Sequence, residues 1–191
     1  VAAFVGEPVS TAGGAAVPGD EYWPMVSEIC GKYGVLLIAD EVICGFGRTG
    51  NPWGCDTYAI QPDMVSCGKA LSASYQPISA LMISEEIHQA LLEQSARLGN
   101  FSLGFTFAAH PVACAVAKRT LEIYEEDRVF EHAAEVSPAF LGVGGNHCHP
   151  GSQKNHAQFA DGFHIVSLFD CVWRGVSPHW LNAFAGNWLH F

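Results

Sequence analysis

Two side chains of complementary chemistry stand at matching places in this sequence. The apolar run Val35-Leu36-Leu37-Ile38-Ala39 ends at Asp40-Glu41, and a second strand-like segment, Asp63-Met64-Val65-Ser66, ends just before Lys69. In open parallel sheets, ligands gather at the carboxyl ends of the strands. If the two segments lie in one parallel sheet, a carboxylate and an amine emerge at the same edge of it. Between them runs Gly45-Phe46-Gly47-Arg48-Thr49-Gly50, a glycine-rich loop suited to tight turns and close approach. Position alone leaves two readings open. The pair is a structural ion pair or a set of strand caps, or it belongs to a ligand site.

The elements that must position these residues follow from periodicity. Ala2-Ala3-Phe4-Val5 is a short apolar run that stops at Gly6-Glu7-Pro8, and Val17-Pro18-Gly19-Asp20 signals a turn. Met25, Val26, Ile29, Cys30 and Tyr33 recur at helical spacing, and Gly34 stands where a C-cap belongs. The uninterrupted apolar run that follows, residues 35–39, predicts a strand covered on both faces. Strand, helix and strand in this order make a βαβ unit with a right-handed crossover. Residues 63–66 and 78–83 continue the sheet. Ser84 is placed to cap a helix whose first turn holds Glu85 and Glu86 and which stops at Gly99. Pro111 opens another helix, which runs to about Asp127. The expected fold class is α/β, with a mostly parallel sheet flanked by helices.

Composition sets outer bounds. The chain has 191 residues, 49% hydrophobic and 15% charged, enough for one ordinary domain with a substantial core. No apolar run reaches the roughly 18 to 20 residues that span a bilayer, so no membrane partner is expected. The chain opens on Val1 without a basic leader, and no signal peptide is read there; an upstream portion is expected to be missing. A net charge of −10 argues against nucleic acid, whose phosphates require clustered Lys and Arg. Seven irregularly spaced cysteines suit reduced, buried thiols in a cytosolic protein better than a disulfide framework.

Composition shifts after about Phe140. Six of the nine histidines fall in residues 141–191, with Trp173, Trp180 and Trp188, and no sustained period is found there. The expected division is therefore residues 1–140 as a partial large domain and 141–191 as a tail that is frameshifted, read through or disordered. His147-Cys148-His149 offers soft ligands, but zinc sites generally use spaced pairs and no second pair follows, so no metal site is assigned.

The wording of the motifs adds to the reading by position. The string Leu37-Ile38-Ala39-Asp40-Glu41-Val42-Ile43-Cys44-Gly45-Phe46-Gly47-Arg48-Thr49-Gly50 closely resembles the signature of class III aminotransferases, the ω-aminotransferase group of pyridoxal-phosphate enzymes. So does Pro62-Asp63-Met64-Val65-Ser66-Cys67-Gly68-Lys69-Ala70-Leu71, and so, in order, do Glu7-Pro8-Val9, Tyr75-Gln76-Pro77, Gly104-Phe105-Thr106-Phe107 and His110-Pro111. The resemblance covers residues 1–140. It implies the large domain of a fold type I pyridoxal-phosphate transferase, here incomplete, and a homodimer for the intact relative. By the resemblance, Lys69 is the Schiff-base lysine and the proton carrier between substrate carbon and cofactor. Asp40 faces the pyridine nitrogen and favours its protonated form, by on the order of 1 to 3 pKa units. Val42 packs against the cofactor ring, and Thr106 contacts the cofactor phosphate from the neighbouring subunit. Arg48 orders its loop, and Glu7 stands near the substrate without an assigned role.

The implied activity moves an amino group from an amine or ω-amino acid to a keto acid such as pyruvate. The family's Gly/Ser-rich phosphate cradle, the aromatic residue that stacks on the cofactor and the C-terminal small domain have no counterpart in this sequence. Leu103 also stands where the family commonly has His, and Ala108-Ala109 where it has Ser-Gly. The alternative is therefore a catalytically disabled fragment of such an enzyme, with a metal-binding tail as a third reading. The expected compartment is the cytoplasm.

Overall fold

The computed structural model describes residues 1–101, 103–140 and 163–166. Its centre is a five-stranded sheet in the order β1 (Ala3–Gly6), β2 (Leu36–Asp40), β3 (Met64–Cys67), β4 (Ala80–Ser84) and β5 (Phe163–Val166). Strands β1, β2 and β3 are parallel, while β4 runs antiparallel to β3, and β5 antiparallel to β4. The change of direction follows from the connections. Helix α1 (Tyr22–Tyr33) carries the chain back between β1 and β2, and α2 (Gly54–Tyr58) lies between β2 and β3. Only a 3-10 turn, Lys69–Ser72, and a short loop separate β3 from β4, too little for a parallel crossover. Strand β5 lies in the segment to which sequence reading assigns no element.

The helices start and stop where side-chain chemistry dictates, with two departures. Gly34 closes α1 at φ 62°, a left-handed conformation that glycine adopts without steric cost. Ser84 caps α3 (Glu85–Leu98) by accepting the Ile87 N–H at 3.5 Å, and Gly99 ends it at φ 76°. Helix α4 (Pro111–Glu126) buries Ala113, Cys114, Ala117, Thr120 and Leu121, a mostly small-residue stripe that brings it close to the 3-10 turn. The first departure is the phase of α1. It buries Trp23 and Cys30, whereas Met25, Ile29 and Tyr33 of the expected apolar face stay exposed. The Trp23 indole donates to the Pro8 carbonyl at 3.1 Å, and this bond selects the inward face. The second departure is α5 (Val129–Phe140), which sequence reading does not anticipate. Its Phe130 packs so tightly on Gly47 that a Cβ there would stand 2.3 Å from the ring.

Strand β2 alternates buried and half-buried residues, with Leu37 and Ala39 inward, so it is less evenly covered than an unbroken apolar run implies. Its register on β3 is reinforced from an unexpected side. Asp63 accepts the Leu37 N–H on its carboxylate at 2.7 Å and returns its own N–H to the Leu37 carbonyl at 2.7 Å, while its carbonyl receives the Ser84 N–H at 2.9 Å. One residue thereby ties three strands. Asp63→Ala should strand the Leu37 amide and cost about 1–3 kcal/mol in urea denaturation, and Asp63→Asn, which keeps an acceptor, should cost less.

Glu41 is fully buried directly after β2 and accepts the Gly54 and Cys55 N–H groups at 3.0 and 2.6 Å, joining the β2 end to the start of α2. Burial pushes its carboxyl above the ordinary 4.5, and the hydrogen bonds from Cys55 and Gly54 pull the other way. A proton held more tightly in the folded state gives stability that is complete below the ordinary value and is lost as pH rises through the raised one. Across that window, Glu41→Gln should show a flatter decline of urea stability with pH than wild type. Equal slopes would assign the titration to other groups.

Candidate active site at the strand ends

The carboxyl ends of β1, β2 and β3 share one edge because these strands are parallel. Asp40 is the last residue of β2 and pairs with Ser66, and Lys69 begins the 3-10 turn just beyond β3. The Ser66 hydroxyl donates to Asp40 Oδ1 at 3.3 Å, and the Val42 N–H donates to the same oxygen at 3.1 Å. Strand β3 therefore leads into the lysine and supplies a donor that orients the acid. Among the described residues both bonds end on Oδ1, so neither occupies Oδ2. Val42 Cγ1 lies 4.0 Å from the position a Cβ would take on Gly68, against the residue that precedes Lys69.

Lys69 is exposed and has φ 40°, a conformation that costs an L residue about 1–2 kcal/mol. The surrounding turn imposes it. Leu71 N–H donates to the Gly68 carbonyl at 2.9 Å, Ser74 N–H to the Lys69 carbonyl at 3.2 Å, and the Ser72 hydroxyl to the Gln76 carbonyl at 2.6 Å. From α4, the Tyr124 hydroxyl donates to the Ala70 carbonyl at 2.7 Å. Ala73 and Ser74, which close the same turn, also have positive φ, 49° and 65°. Cys67, two residues earlier, is no rival nucleophile, because burial pushes its thiol up to about 12 and keeps it protonated.

Asp40, Val42 and Lys69 thus stand at or just beyond the carboxyl ends of two adjacent parallel strands. Thr106 is not part of this bonded group and sits in an exposed turn between α3 and α4, where Ala108 N–H donates to the Phe105 carbonyl at 2.9 Å. Arg48 donates through Nε to the Ile43 carbonyl at 2.8 Å, which orders the glycine-rich loop as expected. Sequence reading missed Ser66, Tyr124 and the buried role of Glu41. Glu7 follows β1 at the same edge, and its carboxylate accepts the Thr11 N–H at 3.1 Å and the Thr11 hydroxyl.

Among the described residues no group of three His, Cys, Asp or Glu side chains could hold a metal ion, and no helix is long and apolar enough to cross a membrane. His147, Cys148 and His149 lie outside the described residues. Cys30, Cys44, Cys55, Cys67 and Cys114 are buried, and none of them forms a disulfide.

Comparison with known proteins bears on this geometry. The family profile "Aminotransferase class-III" matches residues 1–142. The chain is 51% identical over 140 residues to "Gamma aminobutyrate transaminase 3, chloroplastic" of Solanum lycopersicum, covering 73% of this chain and 27% of that protein. It is 49% identical over 140 residues to "Probable gamma-aminobutyrate transaminase 3, mitochondrial" of Oryza sativa subsp. indica, covering 73% of this chain and 28% of that one. Among solved structures, the ω-transaminase from Pseudomonas jessenii in complex with PMP matches with a TM-score of 0.70 at 50% identity, over 71% of this chain and 30% of that one. The chain therefore spans less than a third of the length of these relatives.

The expectation of a cytoplasmic protein is overturned, since these two plant relatives are named for the chloroplast and the mitochondrion. Buried free thiols show only that the described cysteines form no disulfide framework, and that is silent on which compartment holds the protein. The family is pyridoxal-phosphate dependent, in keeping with the PMP complex among the matched structures. With the profile covering residues 1–142 and the strand-end site built from the same stretch, this chain belongs to the class III aminotransferases.

Proposed function

We propose that this chain is the lysine-bearing portion of a pyridoxal-phosphate transaminase that moves an amino group from an amine or ω-amino acid to a keto acid such as pyruvate. The observation that carries the reading is the placement of Asp40 and Lys69 at one sheet edge, with Ser66 of the strand that leads to the lysine holding the acid. The residues present fit the cofactor. Asp40 keeps Oδ2 clear of its two bonds and would accept from a ring N–H. The exposed Lys69 amine would bind the cofactor and then move a proton at the substrate carbon. Val42 would pack on the ring. Bound pyridoxal phosphate supplies the electron sink that stabilises negative charge on that carbon.

Thr106 would contact the cofactor phosphate across a subunit boundary. Its neighbours Phe105 and Phe107 are 70% and 80% exposed, an apolar turn suited to burial in a homodimer. Residues 1–140 form the partial large domain in this proposal; residues 141–191 are set apart from it by composition, although Phe163–Val166 pairs with β4 as an edge strand of its sheet. A second reading, a catalytically disabled relative, is favoured by one observation: around Thr106, Leu103 stands where the family commonly has His and Ala108-Ala109 where it has Ser-Gly.

Spectroscopy separates the two. Pyridoxal phosphate added to the purified chain should produce a visible absorption band that is absent in Lys69→Ala. Bleaching of that band by an added amine identifies an active transaminase, whereas a stable band identifies the disabled relative. A band that survives Lys69→Ala would sink both readings.

The backbone of Lys69 gives an independent check. Lys69→Gly removes the Cβ that makes φ 40° costly, so it should unfold at higher urea concentration than Lys69→Ala, by about 1 kcal/mol. Equal stabilities would mean that residue 69 bears no backbone strain.

A further inference from the structure

Helix α1 is apolar on two faces. One buries Cys30 together with Trp23, whose ring meets Phe4 of β1 edge-on. The other carries Tyr22, Met25, Ile29 and Tyr33, which stay 46% to 68% exposed. At about 100° per residue, these four fall within about 80° of arc and run about 16 Å along the helix axis. Scattered apolar residues on a surface are ordinary, whereas a continuous stripe marks a face that another body covers. Read from either end, the stripe presents an aromatic ring, two aliphatic side chains and a second aromatic ring. That order is self-complementary about a two-fold axis between Met25 and Ile29, as a contact between identical copies requires.

The charges agree with the same axis. Glu21 precedes the stripe at the N-terminal end of α1, and Lys32 stands beside its C-terminal end, with Nζ 5.3 Å from the Tyr33 ring centroid. Both lie on one flank of the stripe, and antiparallel helices bring like flanks together. Glu21 of each copy then meets Lys32 of the other, and the two helix dipoles oppose each other. A parallel pair would set Glu21 against Glu21 and Lys32 against Lys32. We propose that this face of α1 binds a second copy of the chain as an antiparallel helix pair, with Met25 packed on Ile29 and Glu21 paired with Lys32. The contact uses no residue of the Thr106 turn and does not draw on the reading of Lys69. Four half-exposed side chains a side fall short of the roughly 800 Å² per partner of a standard stable interface, so the pair is weak and reversible.

Analytical ultracentrifugation of the full chain, carried up to millimolar concentration, tests this. Wild type should approach twice the mass of Ile29→Asp, which places a charge in the middle of the stripe at an exposed position. Circular dichroism should show the same helix content in both. Any association through the Thr106 turn is common to the two chains and cancels in the comparison. Glu21→Lys and Lys32→Glu should each weaken the pair on the order of tenfold, because each replaces two attractions by two repulsions. The double variant Glu21→Lys/Lys32→Glu should restore wild-type association, which loss of helix structure could not mimic. Equal masses for wild type and Ile29→Asp overturn the proposal and leave the stripe to a different partner. A double variant that associates no better than the single ones overturns the antiparallel pairing.

Discussion

The pairing of β2 with β3 is the constraint on which the site depends. Both strands are short, five and four residues, and the register between them decides whether Asp40 and Lys69 share a rim. A slip of one residue would turn every side chain of one strand to the opposite face. Polar bonds at both ends of the pair resist that slip. Asp63 grips Leu37 at the entrance, and at the exit the Glu41 N–H donates to the Ser66 carbonyl at 2.8 Å while the Ser66 hydroxyl reaches Asp40. The apolar residues between them, Leu37, Ala39 and Val65, are buried and supply attraction without direction. Register is set by the polar ends, and cohesion by the apolar middle.

Much of this was legible in the sequence, for physical reasons that differ by residue. Asp40 and Lys69 could be placed because an apolar run ending in a charged residue marks a strand end, and the motif wording supplied the chemistry. Gly34, Ser84, Gly99 and Pro111 were legible because caps act over three or four residues, within reach of a local pattern. The supporting shell was not. Ser66 acts on a residue 26 positions away, and Tyr124 on one 54 positions away. No local period encodes such pairings. Glu41 was hidden differently: a carboxylate after a strand reads as exposed until the Gly54 and Cys55 amides are known to face it.

Helix α1 illustrates a subtler failure. Its apolar residues do recur at helical spacing, but they cover more than one face, and hydrophobicity alone cannot choose between faces that both look suitable. The choice falls to Trp23, whose ring packs edge-on to Phe4 at 6.5 Å and whose N–H needs the Pro8 carbonyl. A large amphipathic side chain with one donor has few places to go, and it overrides the smaller apolar residues. Pro8 in turn sits beside Gly54, where any Cβ would stand 2.7 Å from the proline ring. The orientation of α1 is therefore coupled to the loop that leads out of β1 toward Glu7.

The conformation of Lys69 shows how the remaining packing serves the site. A lysine at positive φ would relax if its turn were loose, and the turn is short enough that its own hydrogen bonds leave little to spare. Tyr124 makes the difference by anchoring the Ala70 carbonyl from outside the turn. Its ring is in turn packed on Phe130 at 5.7 Å and on Phe46 at 6.4 Å. Phe46 belongs to the glycine-rich loop that follows Asp40, and Phe130 to α5, so an aromatic cluster links the loop after the acid to the turn that carries the amine. In such a cluster each ring limits the movement of its neighbours by contact. The strand end that carries Asp40 and the turn that carries Lys69 are thereby joined by the pairing of β2 and β3 on one side and by tilted, contacting rings on the other. A lone hydrogen bond to Ala70 from a mobile side chain would not hold a strained backbone; one from a ring fixed between two others does.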